Sequence, residues 1–538
     1  MPDPHQRTTQ YASLRPCRGS SRTPQCFALL WILALGLSFA ASVASARKVK
    51  ITLLHTTDLH GHILPTADYD GNNDIGGLLR LATLVERERA RNPNTMLVDC
   101  GDFIQGSPHT WLTKGKITVT AMDQMGYDGI VLGNHELDWG LPFTKKLIED
   151  FDAPILAANA VVSSGTHPLP GLQPFIVREF EGVKVAVVGL TTPGMPLWFR
   201  PDTLGNLEFE SATDALKRTL PMVRENHPDI LILATHMGYR PFQTERQAKI
   251  NQVKEVLRDF PEFDIICGGH THRVVEQQLV RSTLYTQAGY FGIRLGRVEI
   301  EFDTDQGTRG EIISLTPRML KTDASVPQHA ELKTKLKPDL DRTAAYLNAE
   351  LGATTIDIHP KADAAGRSPA QRILAGAIAA AADADFVLHG TLNRDFTLPI
   401  GIIREHQLWK FVPYENRIGV ALLTPPELRE ILEESAAYGS SHSMMGLWGG
   451  SYEINESAPA GKRIVNLRFA DGGKPHGKKR YRVAFNSHTL ASSGGRYPVL
   501  RASVDRPIVR LEMLDIQTRD AVREWFARVR VVDAEDLP

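Results

Sequence analysis

Cysteine is scarce in this chain, with four in 538 residues. Cys17 and Cys26 belong to an N-terminal segment treated below, so only Cys100 and Cys267 remain and no disulfide framework is available. Each precedes a glycine at the end of an apolar run and reads as a small buried strand residue rather than a bridge or a metal ligand. An excess of either charge is also missing: 61 Lys and Arg face 62 Asp and Glu, for a formal net charge of −1. That balance gives no footprint for nucleic acid and no polybasic membrane patch. Beyond residue 46 no apolar run reaches spanning length, and no internal repeat or low-complexity tract stands out.

The first 46 residues have a different character. Arg15, Arg18 and Arg22 precede an apolar run at residues 27–39, and Ala44-Ser45-Ala46 offers a small-residue cleavage site. Residues 1–46 therefore read as a signal peptide, the alternative being an uncleaved membrane anchor, for which the apolar core is short. With no adjacent arginine pair, the general secretory route is expected. The mature protein is expected to be exported, periplasmic or extracellular, with no stable membrane anchor.

The remaining length and its 42% hydrophobic content fit a globular chain of two or more domains. Apolar runs at residues 49–54, 95–99, 130–132, 183–190, 230–234 and 263–267 read as buried strands. Helical spacing after Gly76-Gly77 and around residues 119–125 alternates with them, which argues an α/β layered sandwich. Five of the strands lead into polar segments rich in Asp and His. These are Thr57-Asp58-Leu59-His60, Asp99-Cys100-Gly101-Asp102, Gly133-Asn134-His135-Glu136-Leu137-Asp138, Ala234-Thr235-His236 and Gly268-Gly269-His270-Thr271-His272. Open α/β sheets put their sites in loops after strands, so the five segments predict a metal cluster at one sheet edge. Gly133 is expected to permit a tight turn.

Asp58, His60, Asp102, Asn134, His236, His270 and His272 are too many ligands for one ion. They suit two divalent ions about 3.5–4 Å apart that share a bridging carboxylate. Structural zinc would more often use cysteine in a closed site, whereas nitrogen and oxygen ligands leave positions open for water and a phosphate. His55, His62 and His109 lie off this pattern and read as loop or core histidines.

In order and spacing the five segments resemble the calcineurin-like metallophosphoesterase pattern. Asp138 three residues after His135, the Gly76-Gly77 helix start and a large C-terminal half narrow the resemblance to the exported 5′-nucleotidase/UDP-sugar hydrolase family. The resemblance implies a four-layer α/β/β/α sandwich over residues 47–325, a linker helix at 326–352 bent by Pro338, and a smaller α+β substrate-binding domain at 353–538. It implies that Asp58, His60, Asp102 and His272 hold one metal and that Asp102, Asn134, His236 and His270 hold the other. His272 stands where many relatives have glutamine. The ions would be Zn, Mn, Co or Fe. His135 and Asp138 would form a catalytic dyad, the carboxylate orienting an imidazolium that stabilises charge on the phosphoryl group.

In the C-terminal half the family grips its base between two aromatic rings and its phosphates with arginines. Phe411-Val412-Pro413-Tyr414-Glu415-Asn416 resembles the segment with the first ring, which makes Tyr414 the stacking candidate. Phe485-Asn486-Ser487-His488 resembles the second, with His488 in place of phenylalanine. Thr391-Leu392-Asn393-Arg394 keeps an arginine but loses the usual glycines, and Arg496 of Gly494-Gly495-Arg496-Tyr497 stands where Asp is common. Arg367 lies near a further substrate arginine. The implied activity is release of phosphate from nucleotides or related esters. UDP-sugar or 2′,3′-cyclic-nucleotide phosphodiester hydrolysis is an alternative on the same site. A thiosulfohydrolase, whose branch alters the Gly-Asn-His segment, and a non-catalytic binding protein are the remaining alternatives.

Overall fold

A computed structural model describes residues 48–163, 168–304, 310–363, 366–438, 445–535 and 537. The expected signal peptide lies outside the described residues. Among those described, no helix is long and apolar enough to cross a membrane.

The N-terminal half is built on two mixed sheets. The first runs Glu311–Lys321, Arg294–Asp303, Lys48–Thr56, Thr95–Asp99, Gly129–Val131, Ile155–Leu156, Leu172–Gln173 in spatial order. The second runs Val274–Val280, Thr283–Ala288, Ile265–Gly268, Ile230–Thr235, Val183–Leu190, Phe175–Phe180. Side chains alternate across each strand, so one strand feeds two cores. Val185 and Val187 meet Val49, Ile51, Leu53 and Val98 of the other sheet, while Ala186 and Val188 face Leu216, Leu220 and Val256 of the helices outside. On the far side of the first sheet, Leu54, Leu97 and Ile130 pack with Leu78, Leu81, Ile117 and Met122. Helix, sheet, sheet and helix thus form the four layers expected.

In the first sheet Lys48–Thr56, Thr95–Asp99 and Gly129–Val131 run parallel. In the second, Val183–Leu190, Ile230–Thr235 and Ile265–Gly268 do the same. The carboxyl ends of all of these but Val183–Leu190 carry the five polar segments.

Helix Ala330–Leu347 continues through Pro338 and falls inside the segment expected to link the domains. It does more than connect, since Leu332 and Leu336 are buried in the first core with Leu340 against it. Its last turn reaches the other domain, where Tyr346 Oη donates to Glu405 Oε2 at 2.9 Å. The C-terminal region is α+β, with a five-stranded sheet ordered Gly446–Trp448, Phe386–His389, Tyr481–Asn486, Arg417–Leu423, Glu512–Gln517. Helices Pro369–Ala382 and Thr518–Val529 pack on it through Ala375, Ile378 and Ala521.

Candidate metal centre and the groove beside it

Asp58 and His60 leave the first strand, Asp102 the second and Asn134 the third, while His236, His270 and His272 arrive from the other sheet. Two groups of side chains converge, each with its ligand atoms within 4.8 Å of one another: Asp58, His60 and His272, and Asp102, His236 and His270. Five of these residues hold left-handed backbones, with φ of 51° at Asp58, 47° at His60, 61° at Asp102, 68° at His270 and 54° at His272. Such conformations cost about 1–3 kcal/mol each outside glycine and persist where the surroundings over-determine them.

Asp102 lies between the groups. Its Oδ1 accepts the backbone N–H of His135 at 2.8 Å. Its Oδ2 is 3.0 Å from His236 Nε2 and 4.0 Å from His60 Nε2. Asn134 Oδ1 is 3.1 Å from the same His236 nitrogen. On the other side, His272 Nε2 is 3.0 Å from His60 Nε2 and 3.3 Å from Asp58 Oδ1.

The tautomers show what the cluster accommodates. His236 Nδ1 faces the Cys100 carbonyl at 2.7 Å, and His60 Nδ1 faces the Gln105 carbonyl at 2.7 Å. Each Nδ1 therefore carries the proton and donates it, which leaves Nε2 a lone pair aimed into the cluster. The His236 lone pair meets two oxygen acceptors, Asp102 Oδ2 and Asn134 Oδ1. Lone pairs converging in this way need a positive species between them. Burial disfavours a charged His236, but Asp102 outweighs it and lifts the imidazole pKa to about 9. A divalent ion would compete with that proton for the same lone pair, and the nitrogen and oxygen donor set fits such ions.

His135 sits next to the cluster, its Nδ1 2.7 Å from Asp138 Oδ2. Burial opposes its charge, yet Asp138 and Asp102 raise its pKa to about 10. With Nδ1 engaged by Asp138, Nε2 is the ring nitrogen left for another partner.

Glu136 is a contributor that the sequence pattern contained but did not explain. It is fully buried and accepts backbone N–H groups of Gly133 at 2.7 Å, Phe103 at 2.8 Å and Asp102 at 3.1 Å. One carboxylate thereby fastens the Asp102 loop to the Asn134 loop. Burial, and then nearby Asp102, push its pKa up to about 7. Gly133 leads into the turn at His135–Leu137, and its φ is not among the left-handed ones. Glycine is required here by close approach: a Cβ would lie 2.2 Å from Asp102 N and 2.3 Å from its Oδ1.

The off-pattern histidines stay outside the cluster. His55 is buried beside Thr286 Oγ1, and His62 stacks on Phe291. Burial lowers His109 to about 4. Cys100 and Cys267 are free and buried.

The C-terminal candidates divide into two sets. Tyr414 is exposed and bears, after burial, on the raised phenol of Tyr69, whose hydroxyl lies 2.9 Å from His272 Nδ1. Tyr69 had no signal in the sequence. Burial lowers His488 to about 4, and both Arg496 and His135 act on it in the same direction. Arg394 is likewise within electrostatic reach of Arg496. Tyr414 and His488 thus lie within electrostatic reach of groups at the cluster, and Arg394 and Arg496 within reach of one another. Arg367 does not join them, because its guanidinium is paired with Asp363 at 2.9 Å.

Known proteins give the same arrangement a class. Residues 51–274 match the calcineurin-like phosphoesterase family, and residues 350–502 match the 5′-nucleotidase C-terminal domain. Residues 51–274 thus carry a domain of the metallophosphoesterase class. The two matched segments together cover well over half of the chain, and the relatives it matches include 5′-nucleotidases. A trifunctional nucleotide phosphoesterase of Bacillus subtilis is 24% identical over 86% of this chain and 37% of its own length. A bovine 5′-nucleotidase is 28% identical over 63% of this chain and 59% of its own length. The chain therefore spans less than two thirds of the length of either relative. In fold, it matches a Staphylococcus aureus protein described as a 5′-nucleotidase with a TM-score of 0.75, at 22% identity, over 91% of this chain and 98% of that one.

Proposed function

We propose that the protein is an exported phosphohydrolase that releases phosphate from nucleotides or related esters. Two divalent ions, Zn, Mn, Co or Fe, are held by Asp58, His60, Asp102 and His272 on one side and by Asp102, Asn134, His236 and His270 on the other. The observation that carries this reading is Asp102 Oδ2, free of backbone partners and set between imidazoles of both groups. Bound there, such ions supply positive charge to phosphoryl oxygens and lower the pKa of water.

The chain's own residues do the rest. His135, oriented through Nδ1 by Asp138, directs its Nε2 proton toward charge that develops on the transferring group. Glu136 keeps the two carboxylate-bearing loops in register. Tyr414 offers a flat face to a base, His488 a second and weaker wall, and Arg394 and Arg496 offer donors to anionic groups. The names of the bacterial and bovine relatives support nucleotides as the substrate class. Export rests on the apolar run at residues 27–39 and on Ala44-Ser45-Ala46.

The test is phosphate release from nucleotides, cyclic nucleotides, UDP-sugars and sugar phosphates, measured after chelation and after reloading with each metal. Turnover restored by reloading supports the reading. A full rate in excess chelator, or no turnover in any metal form, rejects it.

A further inference from the structure

A cavity of about 320 Å³ opens beside the candidate metal centre, lined by His270, Thr271 and His272 together with Arg240, Arg246 and Asn251. Both arginines come from the segment that follows strand Ile230–Thr235, on the metal-binding half of the chain. That segment is not where the family resemblance put its substrate contacts. Arg246 also meets the other half: its Nη1 donates to Gly494 O at 2.8 Å. The same turn is fastened from a second side, where Gly494 N donates to Leu197 O at 3.1 Å and Ser492 Oγ to that carbonyl at 3.2 Å. Ser492, Ser493, Gly494 and Gly495 all take left-handed φ, at 87°, 49°, 68° and 82°. This tight run ends at Arg496.

Positive charge therefore gathers where Arg240 and Arg246 line the cavity and Arg496 lies within reach of Arg246, while Asp395, the carboxylate that acts on Arg394, makes no ion pair with it. No ion pair among the described residues neutralises Arg240, Arg246, Arg394 or Arg496. Arg240 Nε is buried without a partner. Burial and then Arg496 pull both Arg246 and Arg394 below the usual arginine range. Guanidinium groups kept together in this way are suited to an anion, which they bind with paired, charge-assisted hydrogen bonds.

We propose that Arg240, Arg246 and Arg496 form a second anion subsite, which receives a phosphate or carboxylate group of the substrate other than the phosphoester being cleaved. The preferred substrate is then a phosphate ester with a second anionic group, and Arg496 brings a cation where the resemblance leads one to expect Asp. The inference rests on the phosphohydrolase reading, and its test separates the two.

Metal-loaded protein is given two matched pairs: adenosine 5′-monophosphate against adenosine 3′,5′-bisphosphate, and glycerol 3-phosphate against 3-phosphoglycerate. The first pair adds a phosphate and the second a carboxylate, so the pair that responds identifies the group. Affinity is measured by calorimetry and turnover by phosphate release. The doubly anionic member should bind more tightly, chiefly through a lower KM. Arg246→Gln and Arg496→Asp should each cut that preference on the order of tenfold, as expected for loss of a hydrogen bond between charged groups. Arg246→Lys should keep part of it. Equal affinities within both pairs in the wild type, or a preference that survives both substitutions, would overturn the subsite. An affinity difference without any turnover supports the subsite and rejects the hydrolase reading instead.

Discussion

Glu415 accepts the indole N–H of Trp139, one residue beyond Asp138, and so ties the C-terminal domain to the segment that carries the dyad. The carboxylate is buried, and its second oxygen has no partner. Burial raises its pKa to about 7 in spite of Arg519 nearby. A carboxyl with a folded pKa above its unfolded value adds stability at low pH and loses it as pH rises through the folded value. Glu415→Gln, a neutral mimic, should therefore gain in Tm over the wild type between pH 5 and pH 8. The gain corresponds to at most about 3 kcal/mol. A difference in Tm that stays flat across that window would show that Glu415 titrates normally.

Asp102→Asn should lose more metal than any other single ligand change, because both groups share that side chain. Changes outside the ligand shell already cost about 10–100-fold, so phosphate release should fall by at least that much. Elemental analysis of the purified variant is the check. Two ions per chain with undiminished turnover would remove Asp102 from the bridging position.

With His135→Ala the metal content should persist while kcat drops by roughly 10²–10⁴-fold, as for a group that acts on the transition state. Asp138→Asn should follow to a smaller degree, since the ring loses its orienting partner. If the alanine variant sheds its ions but turns over normally once reloaded, the imidazole is a support for the site and not part of the chemistry.

Gly133→Ala isolates close packing from backbone strain, because its φ suits alanine. The new methyl must push Asp102 aside, and overpacking of this kind costs about 1–3 kcal/mol. Both Tm and metal content should fall. Gly182→Ala is the opposite control: its φ is 93° and nothing lies within 4 Å of the added carbon. Unchanged metal binding in Gly133→Ala would mean that the Asp102 loop shifts freely.

Tyr414→Ala should raise KM for nucleotides far more than for a small aryl phosphate, because stacking a base contributes about 1–3 kcal/mol. Equal losses on both substrates would make Tyr414 a packing residue.

How much of this was readable in advance follows from how local each signal is. The strands announced themselves as apolar runs, and residues 183–190 matched the observed strand at both ends. The seven candidate positions were readable as strand-end residues because each lies within a few residues of a strand end. What depends on meetings between distant segments was not. Glu136 looked like one more loop carboxylate until its N–H partners on the Asp102 loop appeared. Tyr69 reaches His272 across 203 residues, and Trp139 reaches Glu415 across 276. Helix Ala330–Leu347 read as a connector because its leucine stripe does not say which core it enters. Gly133 was read for its turn alone, since sequence does not show that a glycine also leaves room for a distant loop.

The two sheets contribute to the metal centre from opposite sides, with His60 and His272 separated by 212 residues. Ions gripped this way would act as removable rivets through the sandwich. A species that binds the folded state alone adds to its stability by mass action, so ion supply would set the chain's mechanical integrity together with its chemistry. Starved of metal, the folded protein would lose that share of its stability.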